Sequence, residues 1–167
     1  SDKYMSKGTT ASPMARLLGV IARLRDPDGG CEWDLAQDFS TIAPYTIEEA
    51  YEVADAIAGG NPAAICDELG DLLLQVVFHS QIAADDGLFT FDDVATAISD
   101  KMERRHPHIF GDATTSDVRL QWEAIKANER AAAGPQDALE GVALSLPALL
   151  RAAKLQSRAA RVGFDWP

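Results

Sequence analysis

Cysteine is scarce in this sequence, and long apolar runs are missing from it. Cys31 and Cys66 are the only two cysteines and show no metal-ligand spacing, so a secreted disulfide framework is not indicated. No stretch approaches the roughly 18 apolar residues of a membrane span, and the first residues lack the apolar segment of a signal peptide. These absences favour a protein of the reducing cytoplasm.

Positive charge is also in short supply. The 167 residues contain 15 Lys and Arg against 26 Asp and Glu, which gives a formal net charge of −11. Strong binding to DNA, RNA or anionic lipid needs a basic surface, so neither a nucleic-acid polymer nor a membrane is the expected partner. A small partner that is cationic or carried by a cation fits better. The acids are spread along a chain with 47% hydrophobic residues, which is typical of one folded domain and not of a disordered acidic tail.

Apolar residues recur at helical spacing, whereas the alternation of a β-strand is missing from every stretch of convincing length. We therefore predict an all-α fold in the form of a helical bundle. Residues 26–40 contain too many Pro and Gly for a regular element and are predicted to be irregular. The predicted helices cover residues 14–25, 44–60, 62–86, 91–107, 116–133 and 144–162.

Three segments are expected from the composition. Residues 1–12 are small and polar and predict a flexible leader, while residues 13–133 carry the strongest helical patterns and form the predicted helical domain. Residues 134–167 begin with a Gly-Pro break and continue into a basic helical stretch, which predicts a connector and a carboxy-terminal arm.

Five carboxylates are grouped on the two central helices. Glu48, Glu49 and Glu52 lie on the first of them, and Glu68 and Asp71 lie near the start of the second. Spacings of three and four residues place acids on one side of a helix, here beside apolar positions predicted to face the core. The turn at residues 59–62 is short enough to force an antiparallel hairpin, so the two groups of acids can face each other.

Two interpretations of these acids are open. On an exposed helix, like charges four residues apart cost only about 0.2 to 0.5 kcal/mol, so the acids can simply be solvated surface charges. Beside apolar faces they would be partly desolvated, which costs several kcal/mol per unpaired charge and which a divalent cation removes. The oxygen-only donors, without cysteine and without the paired Glu-x-x-His motifs of di-iron proteins, suit Mg²⁺ or Mn²⁺.

The same acids carry a family resemblance. The pattern Glu48-Glu49-x-x-Glu52, fifteen intervening residues and Glu68-x-x-Asp71 resembles the EExxE…ExxD signature of the MazG family of all-α nucleoside triphosphate pyrophosphohydrolases. The similarity covers roughly residues 14–167, with Glu32 standing where the family usually has Pro. Further matching segments are residues 24–27, Cys31-x-Trp33-Asp34-x-x-Gln37, residues 68–79, residues 101–108 and Trp122-x-x-Ile125-Lys126.

The resemblance implies Mg²⁺-dependent hydrolysis of an NTP or dNTP to the monophosphate and pyrophosphate, with Mn²⁺ as an alternative ion. It makes Glu49, Glu52, Glu68 and Asp71 the metal ligands. Glu48 would orient or deprotonate the attacking water, or serve as a further ligand. The implied substrate-binding residues are Trp33 and Gln37 for the base, Lys101 and Arg105 for phosphate, and Trp122 and Lys126 for base or phosphate.

Structural alternatives accompany these substrate assignments. Lys101 and Arg105 lie near a helix carboxy terminus, which favours cations without any ligand. Trp122 packed in the core with a snorkelling Lys126 is slightly favoured over a substrate contact, and Trp33 is more often a loop anchor when it stands alone.

The resemblance also implies a homodimer, because the family pairs helices of two chains into a larger bundle. MazG proteins often carry two such domains in tandem, and residues 161–167 resemble the connector between them, although no second EExxE follows in this sequence. Two other functions compete with the enzyme: a non-catalytic helical oligomerisation module, and a redox protein with a carboxylate di-metal centre.

Overall fold

A computed structural model of the chain describes residues 12–111, 118–132 and 139–164. Within these ranges the regular structure is helical and contains no strand, which confirms the predicted all-α class. None of the helices described is both long enough and apolar enough to cross a bilayer. The helices are α1 (Pro13–Leu24), α2 (Glu32–Leu35), α3 (Phe39–Gly59), α4 (Pro62–Asp85), α5 (Phe91–Arg105), α6 (Pro107–Phe110), α7 (Val118–Ala132) and α8 (Ala148–Arg161).

The chain divides into two compact units, Ser1–Ser99 and Asp100–Pro167. The first contains α1 to α4 and the start of α5, and the second contains the end of α5 and α6 to α8. The predicted leader falls almost entirely on residues outside the described ranges, and so does the predicted boundary between domain and connector at 133/134. Both stay predictions.

The central hairpin forms as the capping residues predict. The Asn61 side chain accepts a hydrogen bond from the backbone N–H of Ala63 at 3.0 Å, and Pro62 occupies the first turn of α4. Gly60 ends α3 with φ of +71°, a left-handed conformation that favours glycine. Only Gly60 and Asn61 therefore separate α3 from α4, and the two helices pack closely against each other.

The starts of α3 and α8 differ from the prediction, and the short helices α2 and α6 were not predicted. Helix α3 begins at Phe39 and not at Pro44, because the Asp38 carboxylate accepts the backbone N–H groups of Ser40 and Thr41 at 2.8 and 2.9 Å. The Thr41 hydroxyl accepts the Asp38 N–H in return, which completes a capping box ahead of Pro44. The short helix α2 lies inside the stretch predicted to be irregular. Helix α8 begins at Ala148 and not at residue 144, since Pro147 disfavours helical geometry in the residue before it.

The apolar core of the first unit joins α1, α3 and α4. Its buried side chains are Ile21, Ile42, Val77, Phe78 and Ile82. These residues lie at the end of the hairpin away from the Gly60 turn.

The apolar face nearer the turn is not in this core, so that part of the prediction was wrong. Its side chains remain 37% to 51% exposed, because no described residue covers them. Periodicity correctly indicated an apolar face but not what lies against it. We call this surface the hairpin face; it consists of Ile47 and Tyr51 of α3 with Leu69, Leu73 and Val76 of α4.

Candidate metal centre

The hairpin brings three of the five predicted acids together. Carboxylate oxygens of Glu49, Glu68 and Asp71 all lie within 4.8 Å of one another. Glu49 and Glu68 are half-buried, and Asp71 is exposed. Because one of these acids comes from α3 and two from α4, the group exists only through the packing of the two helices.

Glu52 lies beside this group. Partial desolvation raises the pKa of Glu49, followed by the charges of Glu52 and Asp71, a hydrogen bond to Glu52 and the charge of Glu68. Desolvation likewise raises the pKa of Glu68, followed by the charges of Glu52, Asp71 and Asp67. The charges of Glu52 and Asp71 therefore oppose the ionisation of Glu49 and Glu68.

The donor set fits a hard divalent cation. Mg²⁺ binds oxygen at about 2.1 Å, so two oxygens on opposite sides of one ion lie about 4.2 Å apart. The carboxylate oxygens lie within 4.8 Å of one another, so small side-chain rotations would bring them to this separation. A cation would also relieve the repulsion that raises the pKa of Glu49 and Glu68.

Glu48 is placed differently. Its side chain is exposed, and it does not belong to the group of three mutually close carboxylates. It precedes Glu49 in α3, so about 100° of helical rotation separates the two side chains. Glu52 is also exposed and outside that group, but its charge raises the pKa of Glu49 and Glu68, whereas that of Glu48 is not among the causes.

The segment with Trp33 and Gln37 is held by a residue that the site prediction did not include. Nη1 of buried Arg25 donates to the carbonyl oxygens of Asp34 and Gln37 at 2.5 and 3.0 Å. Its Nε donates to the Asp85 carboxylate at the end of α4, at 2.7 Å. The one sequence signal for Arg25 was its place in the matching segment 24–27.

Trp33 is not the anchor of this segment. Its side chain is 54% exposed, so the loop-anchor alternative is wrong for the described chain. The Gln37 side-chain amide donates to the Trp33 carbonyl at 2.8 Å and thereby braces the backbone below the indole. The indole itself is left accessible on a fixed segment.

In the second unit the predicted phosphate-binding residues pair with acids. Nη2 of Arg105 lies 2.6 Å from one Glu129 oxygen, and Nη2 of Arg104 lies 2.7 Å from the other. Hydrogen bonds from Arg105 and then Arg104 lower the pKa of Glu129 to about 2. Lys126 pairs with Glu123 at 3.2 Å, whereas Lys101 is exposed at the end of α5.

Trp122 packs within the same unit. The His106 ring meets it edge to face at 4.7 Å between centroids, and the Arg105 guanidinium lies 5.6 Å from its ring centre. These contacts favour the packing alternative for Trp122, because the ring already has partners on the chain. They also hold Arg105 in place beside Glu129.

Fold and site together define a class: helical proteins in which a hairpin presents clustered carboxylates suited to a divalent cation. Residues 37–110 match the family model described as the MazG nucleotide pyrophosphohydrolase domain. That range contains all five predicted acids as well as Lys101 and Arg105. The chain belongs to the MazG family.

Three relatives support this assignment. The chain is 55% identical over 154 residues to the nucleoside triphosphate pyrophosphohydrolase of Escherichia coli strain K12, covering 90% of this chain and 59% of that protein. It is 44% identical over 150 residues to the nucleoside triphosphate pyrophosphohydrolase/pyrophosphatase MazG of Thermotoga maritima, covering 90% and 58%. An uncharacterised 26.1-kDa protein of Streptomyces cacaoi is 41% identical over 167 residues, covering 97% and 68%. The chain thus spans less than two thirds of the two named enzymes.

Proposed function

We propose that this chain hydrolyses nucleoside triphosphates, in ribo or deoxy form, to the monophosphate and pyrophosphate with Mg²⁺ as cofactor. The observation that carries the proposal is the group formed by Glu49, Glu68 and Asp71 across the hairpin. The names of the E. coli and T. maritima relatives support the reaction class.

Each acid has a part in this proposal. Glu49, Glu52, Glu68 and Asp71 hold the ion. A cation would relieve the repulsion that raises the pKa of Glu49 and Glu68, to which the charges of Glu52 and Asp71 contribute. Bound Mg²⁺ supplies neutralisation of phosphate charge and a lower pKa for bound water. Mn²⁺ has the same ligand preference and is the alternative ion.

Glu48 is assigned to the attacking water. Its carboxylate stands outside the metal group, so its oxygens are available to orient a water molecule and accept its proton. The water oxygen forms a bond to phosphorus while the bridging P–O bond to the leaving group breaks. Attack at the α or at the β phosphorus gives the same two products.

The six remaining predicted residues are proposed either to contact the substrate or to hold the residues that do. The accessible Trp33 indole provides a stacking surface for the base, on a segment that Gln37 and Arg25 brace. Lys101, Arg105 and Lys126 are the proposed phosphate contacts. Arg105 and Lys126 would bind phosphate either in place of their acidic partners or together with them. Trp122 keeps Arg105 in position.

A homodimer is part of the proposal. The hairpin face exposes five large apolar side chains in one patch, which monomeric proteins rarely do. Because this face lies on the same two helices as the acids, pairing two copies there would also stiffen the metal centre. A cytoplasmic location stays a prediction.

Pyrophosphate release from NTPs with Mg²⁺ tests the reaction. The variants Glu52→Gln and Asp71→Asn should each lower the rate about 100-fold, since each removes part of the ion's charge stabilisation. Asp55→Asn is the matched control, because it removes an exposed acid of α3 outside the group and should leave the rate within about twofold.

A helical oligomerisation module is the second candidate, and the exposed hairpin face is the observation that favours it. It predicts a stable dimer with no pyrophosphate release by wild type or variant, although all are folded. That result would remove the enzyme proposal. The redox alternative predicts iron in the purified protein and has no paired Glu-x-x-His to support it.

A further inference from the structure

The second unit contains a cavity of about 360 Å³, and all but one of its lining residues have no part in the proposed reaction. This volume falls in the range of small-ligand sites. Only Lys126 among its lining residues belongs to the predicted substrate-binding set. The walls come from α7, the turn before α8, and α8 itself, and the lining residues that matter here are Lys126, Val142, Leu146, Lys154, Arg158 and Arg161.

The cavity is cationic. Four of its lining side chains are Lys or Arg, and Glu123 pairs with two of them, Lys126 at 3.2 Å and Arg161 at 3.1 Å. One acid thus offsets part of the positive charge, and an excess remains. This excess occurs in a chain of net charge −11, where a cationic pocket is not expected from composition.

Lys154 and Arg158 differ in their hydrogen bonding in the cavity wall. Arg158 donates to the carbonyl oxygens of Glu140 and Gly141, so it holds the turn that forms one wall. Lys154 is exposed and makes no hydrogen bond or ion pair within the described part of the chain. Its ammonium group therefore keeps all three donors for a ligand.

The lining also has an apolar part, contributed by the turn before α8. Val142 is buried, and Leu146 and Ala143 lie beside it. The polar part of the lining is dominated by cationic side chains, which suits a phosphate-bearing anion. Arg and Lys are the side chains that bind phosphate most strongly.

We propose that this cavity binds a phosphate-bearing anion without a metal ion. Two sources have this chemistry, free pyrophosphate and a nucleoside monophosphate. The site is distinct from the carboxylate group in its residues and opposite to it in charge, so binding here requires no cation. The proposal therefore does not depend on whether the chain hydrolyses triphosphates.

Calorimetric titration of the whole chain in EDTA and low salt tests the proposal, with sodium pyrophosphate and AMP as separate probes. Lys154→Gln should weaken binding about tenfold, the effect of losing one charge-assisted hydrogen bond. Arg16→Gln is the matched control, because it removes one exposed positive charge from α1 and should change the affinity less than about twofold. The probe that binds more tightly identifies the source.

Two further measurements complete the test. The double variant Glu49→Gln/Asp71→Asn should retain metal-free binding, and amide NMR signals of Gly141 and Val142 in the wild-type chain should shift on titration. The proposal is overturned if neither probe binds at millimolar concentration, or if Lys154→Gln and Arg16→Gln weaken binding equally. It is also overturned if the carboxylate variant abolishes binding, because the anion would then occupy the first unit.

Discussion

The two units of this chain treat charge in opposite ways. Ser1–Ser99 contains five Lys and Arg against 17 Asp and Glu, whereas Asp100–Pro167 contains ten against nine. In the hairpin of the first unit, Glu49 and Glu68 lie near other acids, and desolvation together with this repulsion raises their pKa. In the second, hydrogen bonds from Arg105 and Arg104 lower the pKa of Glu129 to about 2. A bound cation would therefore stabilise the acids of the hairpin, whereas Glu129 is already stabilised by two arginines of its own unit.

Placing a cationic side chain inside the acid group of the hairpin should have the largest effect on activity. Glu49→Lys places an ammonium group among Glu52, Glu68 and Asp71, so it should lower hydrolysis at least about 1000-fold by removing a ligand and repelling Mg²⁺. The same variant should melt at a higher temperature than wild type in EDTA, because the repulsion is relieved. Activity assays and thermal melts check both results.

The control for this variant is Asp55→Lys, which makes the same charge change on α3 outside the acid group. It should stay active and should still be stabilised by Mg²⁺. If Glu49→Lys melts below wild type in EDTA, the acids of the hairpin do not repel one another as proposed.

Trp33 and Trp122 should separate substrate binding from stability. Trp33→Ala should raise KM for NTPs about tenfold, since base stacking contributes roughly 1 to 3 kcal/mol, and should leave the melting temperature unchanged because the indole is exposed. Trp122→Ala should lower the melting temperature, because it removes contacts to His106 and Arg105. A drop in stability for Trp33→Ala would contradict the accessible placement of its ring.

The pH dependence of stability should differ between metal-free and metal-bound protein. A carboxyl whose folded pKa is raised above its unfolded value destabilises the fold at neutral pH, and this cost disappears as pH falls through the folded pKa. As the pH falls from 7.5 toward 4.5, the usual pKa of glutamate, the melting temperature of wild type in EDTA should therefore rise relative to that of Glu49→Gln. With saturating Mg²⁺ the trend should reverse, since protons compete with the ion. Thermal melts of both proteins across this range provide the measurement.

The smallest effect is expected in the second unit. The folded pKa of Glu129 is lowered, so its stabilising contribution is present above its usual pKa of 4.5 and is lost as pH falls toward about 2. Glu129→Gln should melt slightly below wild type at pH 7, and the difference should vanish at acid pH. A constant difference at all pH values would show that the side chain acts through packing and not through its charge.

Local signals in the sequence predicted much of this molecule. The periodicity located the helices, and Asn61, Pro62 and Gly60 marked the turn that creates the hairpin. The i, i+3 and i+4 spacing of the acids then implied their proximity, because a turn of fixed length leaves the two helices one way to pack. The early start of α3 was missed although Asp38 and Thr41 form a capping box that is visible in the sequence.

Long-range contacts were beyond such signals. Arg25 pairs with Asp85 across 60 residues, and no local pattern connects them. The exposure of Tyr51 and Leu69 was missed for a similar reason, since periodicity reports that a face is apolar but not which surface covers it. The pairing of Arg105 with Glu129 likewise depends on tertiary packing.

Only two residues connect α3 and α4, so the hairpin has two arms, the residues before Gly60 and the residues after Asn61. Glu52 stands eight residues before Gly60, and Glu68 stands seven residues after Asn61. At 1.5 Å per residue these arms measure about 12 and 10 Å, so the acids arrive level with each other. An insertion or deletion in one arm would turn its acids by about 100° per residue away from those of the other. The acids can therefore stay level and keep facing each other after a change of length only if both arms change by whole helical turns.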